Sequence, residues 1–313
     1  MTLDEFRQQW NDGSDFIVAH TSGSTGKPKE ILLPKSDMRV SARATNKFFG
    51  LGAESVYVCP LSLSYIAGKM MAVRAWGAGA EPIMLEPSNS PKLPDGAVDL
   101  LAIVPSQIEA MVSAGDCARI RNVLVGGAPM TTEQRRMLAY SGIGAYESYG
   151  MTETCSHVAL RQLGDQCFKA MPGVEFATDG RGCLIVNLPH YTVKSLTTND
   201  VVRLHTPTSF EWLGRWDNVI NSGGIKLYPE QIEAEISRLC PEIGAFYITD
   251  TEDPKWGRAV AMVLEGTDEE AARITLIIKE GMDGLKRPRL IKTVRKLART
   301  YNGKIIRKRI GEL

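Results

Sequence analysis

Thr21-Ser22-Gly23-Ser24-Thr25-Gly26-Lys27-Pro28-Lys29 is the stretch on which the reading of this chain turns. It lies between two apolar runs, Phe16–Ala19 and Ile31–Leu33, each of which reads as a strand. A strand, a loop of small residues, hydroxyls and two lysines, and a second strand make a cradle for phosphate. Glycine lets the backbone pass close to an anion, and N–H groups, hydroxyls and ammonium groups supply the donors. The loop is not the common P-loop, because G-x-x-x-x-G-K-[ST] is missing and Pro28 bars a helix from starting in the usual way. Taken alone, the segment reads equally well as a flexible hairpin connection. The rest of the chain decides.

Outward from the loop, strand-like and helix-like segments alternate. Ser55–Cys59, Glu81–Leu85, Val98–Val104 and Arg121–Val125 are short apolar or β-branched runs. Between them, Ser36 is placed to cap a helix through Phe48, and Pro105 to open one with Ile108, Met111 and Val112 inward. Thr131 or Thr132 is placed to cap a third through Tyr140. Such alternation predicts an α/β domain with a largely parallel sheet. From Cys155 to Leu213 helical periodicity is lost, and Ser156–Arg161, Cys183–Leu188, Val201–His205 and Phe210–Leu213 read as strands of a β-rich subdomain. Past Gly214-Arg215-Trp216-Asp217, Pro229 starts a helix with Ile232, Ile236 and Leu239 on one face. Two strands, Ala245–Thr249 and Ala259–Leu264, and a helix from Thr267 to Gly281 follow. The expected fold is therefore α/β: a large N-terminal domain, 1–216, with a mixed or parallel sheet and a β-rich subdomain, and a small α+β domain, 217–313.

Composition bounds the function. With 313 residues the chain can bury a sizeable core. A net charge of +1 gives no general attraction to nucleic acid or membrane. The six cysteines show neither C-x-x-C nor zinc spacing, which reads as reduced thiols in the cytoplasm. The N-terminus carries no apolar signal core, and the most apolar helical candidate, Ile66–Ala80, is broken by Lys69 and Arg74 and too short to span a bilayer. From Lys286 to Arg309 there are eleven Lys or Arg residues and no acid, yet only Tyr301 interrupts them as an aromatic; a solvated or polyphosphate-facing surface suits this run better than nucleic acid.

Four further segments carry chemistry. Val125-Gly126-Gly127-Ala128-Pro129-Met130 ends a strand in a turn of small residues, which a flat ring can approach, although ordinary strand-to-helix turns look the same. Tyr149-Gly150-Met151-Thr152-Glu153-Thr154 groups an aromatic face, a hydroxyl and a carboxylate, the means to stack on a base, donate to phosphate and hold Mg²⁺. A loop with a solvated Glu is the plainer alternative. Gly214–Ile220 leads into Ser222-Gly223-Gly224-Ile225-Lys226, a hairpin tip by its glycine pair. Tyr301-Asn302-Gly303-Lys304 puts Lys304 on a tight turn, where a lysine is often only a solvated charge.

In this order the segments resemble the adenylate-forming superfamily of acyl-CoA synthetases, nonribosomal adenylation domains and luciferases. Thr21–Lys29 resembles its phosphate loop, Gly126–Pro129 and Tyr149–Glu153 its adenine and Mg-ATP motifs, Thr198-Asn199-Asp200 its ribose motif, Gly214–Asp217 its hinge, and Asn302–Lys304 its catalytic-lysine loop. The resemblance covers nearly all of residues 16–313. It implies ATP, Mg²⁺ and CoA as cofactors and a small carboxylic acid as substrate. Thr21, Ser22, Ser24, Thr25 and Lys29 would hold the β- and γ-phosphates. Gly127, Ala128, Pro129, Tyr149 and Gly150 would form the adenine site, with Tyr149 stacking on the base. Thr152 would touch the α-phosphate, Glu153 would ligate Mg²⁺, and Asp200 and Arg215 would bind ribose. Lys304 would bridge the substrate carboxylate and the α-phosphate, and Asp217 would be the pivot of the small domain. Ser222, Gly223, Gly224 and Lys226 would serve the CoA step, and Tyr65 and Gly126 the acyl pocket.

The chemistry agrees with these assignments. A carboxylate attacking an α-phosphate brings two anions together, and cations and loop donors offset that repulsion. The same residues must then admit a thiol, which a rotating small domain accomplishes. Within the superfamily the chain resembles compact 2-succinylbenzoate–CoA ligases of menaquinone biosynthesis, which makes that acid the expected substrate, although no residue here chemically demands a succinylbenzoyl group. Other aromatic or short-chain acyl-CoA ligases, an enzyme loading a carrier protein, and a nucleotide-binding relic without activity remain as alternatives.

The chain departs from the family pattern in three places. Asn199 stands where the family usually has Gly. Tyr65 stands where many relatives carry His. The phosphate loop begins at residue 21, where relatives have a long preceding subdomain, so the sequence is either a natural compact form or a fragment; Met1 and the amphipathic start Leu3–Arg7 suggest a natural beginning without proving it. Surface left uncovered by that subdomain makes a second copy of the chain a candidate partner.

Overall fold

The computed structural model describes residues 1–20, 30–299 and 305–313. Thr21, Ser22, Ser24, Thr25, Lys29 and Lys304 lie outside the described residues.

The chain divides into two compact units. The first comprises Met1–Thr178, Ile185–Thr197 and Leu204–Glu211; the second comprises Asp179–Leu184, Thr198–Arg203 and Trp212–Leu313.

The first unit opens with α1 (Leu3–Asn11), capped by Thr2 with Glu5 closing a capping box. Strands β1 (Phe16–His20) and β2 (Glu30–Pro34) pair antiparallel, Phe16 beside Pro34 and His20 beside Glu30. Helix α2 (Lys35–Phe49) follows at once. Ser36 is not its cap. The N-cap is Pro34, and the first helical N–H, that of Lys35, is satisfied by the Asp15 carbonyl at 2.8 Å while Lys35 Nζ pairs with Asp12 at 2.7 Å. A tertiary partner has replaced the local cap.

Strand β3 (Tyr57–Cys59), helix α3 (Ile66–Ala78), β4 (Pro82–Met84), β5 (Leu100–Ile103), α4 (Ile108–Ser113), β6 (Asn122–Val125), α5 (Thr132–Ser141) and β7 (Gly144–Gly150) complete the α/β part. Strands β4, β3, β5, β6 and β7 are parallel neighbours in sequence-crossing order. Val58, Leu101, Ile103, Val123 and Val125 form one core cluster with Ile108 and Met111 of α4 and Leu138 of α5. Tyr57, Cys59 and Leu100 are buried as well, so these strands are covered on both faces, as parallel sheets require. Pro105 opens a 3-10 turn, Pro105–Gln107, rather than the α-helix itself, and Thr131 caps α5 with Gln134 completing a capping box.

The sheet becomes antiparallel at β8 (His157–Gln162) and β9 (Phe168–Ala170) and continues through β13, β12 and β11 to β10. These are β10 (Glu175–Thr178), β11 (Cys183–Asn187), β12 (Ser195–Thr206) and β13 (Ser209–Arg215); the last three have residues in both units.

The second unit adds the hairpin β14 (Ile220–Ser222) and β15 (Ile225–Leu227), then α6 (Pro229–Leu239), β16 (Phe246–Asp253), β17 (Gly257–Glu265), α7 (Asp268–Gly281) and β18 (Leu290–Val294). Strand β17 pairs antiparallel with β16 and parallel with β18. Ile232 and Ile236 of α6, Ile274 and Ile278 of α7, and Ile248, Val260, Met262 and Leu264 of the sheet make its core. This is the α+β composition that the sequence predicts.

Candidate active site

In an α/β sheet ligands bind beyond the carboxyl ends of the parallel strands. Two of the predicted motifs leave from that edge side by side. Strands β6 and β7 are parallel, Val125 beside Glu147, so Gly126 follows one strand next to Ser148 of the other. Ser148 Oγ donates to the Val125 carbonyl at 3.0 Å, and Gly126 N donates to Ile103 O at 3.0 Å. A Cβ at Gly126 would stand 2.6 Å from Ser148 Oγ, so a side chain there would have to turn the Ser148 hydroxyl off the Val125 carbonyl. Gly127 has φ +84, and Ala128 and Pro129 are exposed.

Strand β7 ends at Gly150, where the pairing with β8 shifts register. A Cβ there would overlap the Ser156 carbonyl and His157 Cα. Thr152–Thr154 forms a 3-10 turn closed by the Thr154 hydroxyl, which accepts from Met151 N at 3.1 Å and lies 2.6 Å from Ser156 O. Cys155 next to it has φ +63, a conformation that residues other than glycine seldom adopt and that tends to occur at functional turns. The turn leaves Thr152 half-buried and Glu153 exposed. No described cation pairs with Glu153, and the described residues contain no cluster of three or more His, Cys, Asp or Glu. A single free carboxylate fits Mg²⁺, which keeps most of its oxygen ligands from phosphate and water.

Tyr149 packs edge-on against Phe210, centroids 5.1 Å apart, and tilted against Phe168 at 5.7 Å. Arg161 lies over Phe168 at 4.5 Å, and Arg135 and Arg161 both bind Glu147. Part of the Tyr149 ring is thus engaged with protein, and the strand that carries it is braced by a half-buried ion triad around the buried Glu147.

Tyr65, at the end of the loop after β3, is the N-cap residue of α3 and is 44% exposed. Helix α3 holds two residues that sequence reasoning passed over as interruptions of an apolar helix. Lys69 and Arg74 are 2% and 1% exposed. Lys69 Nζ donates to Val18 O of β1 at 2.8 Å, two residues before that strand ends. Arg74 donates to Ser156 Oγ at 2.6 Å, His157 Nδ1 at 3.4 Å and Thr45 Oγ1 at 3.3 Å. No carboxylate among the described residues pairs with either cation. Burial lowers the Arg74 pKa to about 10, which leaves it cationic at neutral pH. His157 is held neutral by burial and then by Arg74, and its Nε2 lies 3.0 Å from Thr45 Oγ1. Since Ser156 and His157 stand against Gly150, this unneutralised cation lies directly behind the Tyr149–Glu153 motif. The signal in the sequence was there: charges inside an otherwise apolar helix are expensive unless they serve a purpose.

In the second unit, Thr198, Asn199 and Asp200 lie on β12. Thr198 Oγ1 accepts from Asp200 N at 3.0 Å, and Arg181, paired with Asp179, reaches Asn199 Oδ1 at 3.2 Å. The asparagine that replaces the usual glycine is therefore held by an arginine. Trp212 Nε1 donates to Asp200 Oδ1 at 3.1 Å. Arg215 places Nη1 3.9 Å from the same oxygen and Nη2 3.0 Å from Asp217 Oδ2. Asp217 sits on a 3-10 turn, Trp216–Asn218, and is exposed. Arg181 and Lys226 both lie over the Trp216 ring, at 5.7 and 4.8 Å. Gly223 and Gly224, φ +57 and +85, form the two-residue turn between β14 and β15, as a positive-φ hairpin demands, and Ser222 is buried beside it.

Each unit thus assembles its own group: Gly126–Pro129 with Tyr149–Glu153 in the first, and Asp200, Arg215 and Asp217 with the Ser222–Lys226 hairpin in the second.

Comparisons with known proteins bear on these groups. A family profile described as AMP-binding enzyme matches residues 4–187. The chain is 25% identical to the 2-succinylbenzoate–CoA ligase of Enterococcus faecalis over 97% of its own length and 71% of that protein's. It is 34% identical to the solved acyl-CoA synthetase (AMP-forming)/AMP-acid ligase II-like protein from Dyadobacter fermentans, with a TM-score of 0.66 over 96% of this chain and 90% of that one. The o-succinylbenzoate CoA synthetase from Bacillus subtilis in complex with its acyl-adenylate intermediate shares the fold, TM-score 0.77, at 21% identity over 93% and 67% of the two chains.

Proposed function

The chain belongs to the AMP-binding enzyme family, and from that premise we propose that it is an ATP-dependent acid–thiol ligase forming an acyl-CoA through an acyl-adenylate. The observation that carries this reading is the side-by-side departure of the Gly126–Pro129 and Gly150–Glu153 turns from β6 and β7. Two adjacent turns, one closed against backbone at Gly150 and the other built of small residues at Gly126–Ala128, suit a flat base and a phosphate. The acid we propose is 2-succinylbenzoate, on the strength of the names of the relatives.

In the first step a carboxylate oxygen attacks the α-phosphorus and pyrophosphate leaves. In the second a thiol attacks the acyl carbonyl and AMP leaves. By the family resemblance, Thr21, Ser22, Ser24, Thr25 and Lys29 would hold the β- and γ-phosphates, and Thr152 and Lys304 would meet the α-phosphate. Tyr149 and Gly127–Pro129 would hold adenine, with only the part of the Tyr149 ring not set against Phe168 and Phe210 left for stacking. Asp200 and Arg215 would hold ribose. Glu153 would hold Mg²⁺, which when bound neutralises phosphate charge. Arg74, buried and without a carboxylate partner among the described residues, adds positive potential behind the Gly150–Glu153 turn, where anions meet. Asp217, at the proposed boundary between 1–216 and 217–313, would be the pivot between the two steps, and Ser222–Lys226 would serve the second.

Six unpaired cysteines support a cytoplasmic setting, and no described helix is long and apolar enough to cross a membrane. Phe16, Val18 and Leu32 stand exposed on one face of the β1–β2 pair, which keeps a second copy of the chain as a partner to be tested by sedimentation.

The deciding experiment is a panel of carboxylic acids, 2-succinylbenzoate included, screened for pyrophosphate release from ATP. Positive acids are then offered CoA or a phosphopantetheinyl carrier protein. Thioester with CoA is the expected result. Thioester with the carrier alone would replace CoA as acceptor, and a chain that releases pyrophosphate with no acid would not be a ligase for any of them.

A further inference from the structure

We propose that Trp212 is a positioning residue for ribose: its indole N–H fixes the Asp200 carboxylate and so sets the preference for a ribonucleotide. The inference rests on the reading of Asp200 as the ribose ligand. Asp200 is 9% exposed, and its backbone is already fixed, since its N–H donates to Thr198 Oγ1 at 3.0 Å. What remains to be set is the rotation of the carboxylate. Trp212 Nε1 donates to Oδ1 at 3.1 Å. The indole nitrogen is a donor only, so the contact has one sense and cannot invert as a hydroxyl or amide contact can. Trp212 is itself held from α6, where Gln231 Nε2 donates to the Trp212 carbonyl at 3.1 Å. Arg215 also approaches Oδ1, at 3.9 Å, but it binds Asp217 more closely, at 3.0 Å. Of these two contacts on Oδ1, Trp212 therefore makes the shorter, and it brings no charge. A carboxylate held in one rotation can accept from ribose hydroxyls without first being ordered, which favours the ligand that offers those hydroxyls.

The test is equilibrium binding of ATP, 2′-deoxy-ATP and 3′-deoxy-ATP, each with Mg²⁺, by calorimetry. It needs no acid substrate. Four chains of 313 residues are compared: the natural one, Asp200→Asn, Trp212→Phe and Trp212→His. Phe keeps a ring and removes the donor; His restores an N–H. The natural chain is expected to favour ATP over at least one deoxy analogue. Trp212→Phe is expected to lose about tenfold of that preference, the scale of one hydrogen bond to a charged group, and Trp212→His to recover part of it. A Trp that only filled space would weaken all three nucleotides together and leave the ratio unchanged. If Asp200→Asn loses the preference and Trp212→Phe keeps it, the positioning role is wrong while the ribose reading stands. If Asp200→Asn keeps the preference, or the natural chain has none, the ribose reading fails and the inference with it.

Discussion

Glu153 is exposed on its 3-10 turn with no described cation beside it, so its charge has no visible structural use. Glu153→Gln keeps the shape and removes the charge. The variant is expected to need a higher Mg²⁺ concentration for pyrophosphate release and to recover partly when it is supplied. Loss of activity with an unchanged Mg²⁺ titration would assign Glu153 to the fold instead. His157 makes a prediction of the opposite kind, about stability. Burial and then Arg74 hold its pKa well below 6.5, so the unfolded chain binds a proton that the folded chain rejects. The stabilisation is complete above the unfolded pKa, near 6.5, and is lost as pH falls below it, at up to about 1.4 kcal/mol per pH unit. Urea unfolding between pH 5 and 8 should show that slope, and His157→Gln should flatten it. Equal slopes in the two proteins would mean that other groups govern the acid limb.

At the scale of elements, two devices are open to test. The end of β7 needs glycine because Ser156 and His157 of the neighbouring segment occupy the space of a side chain. Gly150→Ala should cost about 1–3 kcal/mol through forced displacement of that backbone. Gly52→Ala, with nothing within 4 Å of the added carbon, should be nearly neutral. A similar fall in urea midpoint for both would remove the packing argument. Helix α7 begins with Thr267 accepting from Glu270 N at 3.2 Å, while Glu270 accepts from Thr267 N at 2.7 Å. Thr267→Ala should lower stability by about 1 kcal/mol, read as a shift in thermal midpoint. These elements were legible in the sequence because their causes are local: a cap residue, a proline at the first turn, an apolar stripe. Helix α2 was misread at its start because its first N–H is satisfied by Asp15, a residue of the preceding segment that no local rule selects.

For the whole molecule, the question is whether one chain performs two reactions by alternating which residues act. We propose Lys304 for the first and the Ser222–Lys226 hairpin for the second. Lys304→Ala should lower acyl-adenylate formation by about a hundredfold or more, if it stabilises charge in that transition state alone, and largely spare conversion of supplied acyl-adenylate and CoA to thioester. The two half-reactions are to be assayed separately. Equal losses in both would end the alternation model for this protein and leave Lys304 as a general anion-binding residue.

Fold class and the order of the motifs were legible in the chain because glycine turns, caps and apolar periodicity act over a few residues and leave a local signature; the family came from the resemblance of those motifs, taken together, to known ones. The sequence marked Gly126, Gly150 and Asp200 as residues of interest without giving the cause. The causes are neighbours distant in the chain: Ile103 and Ser148 around Gly126, Ser156 and His157 against Gly150, Trp212 on Asp200. That Lys69 and Arg74, read from the sequence as breaks in an apolar helix, are buried cations, and that Asn199 is held by Arg181, emerges with the fold alone. Burial and pairing depend on which elements the fold brings together: an apolar helix around a charge hints that the charge is buried, but names neither its depth nor its partners.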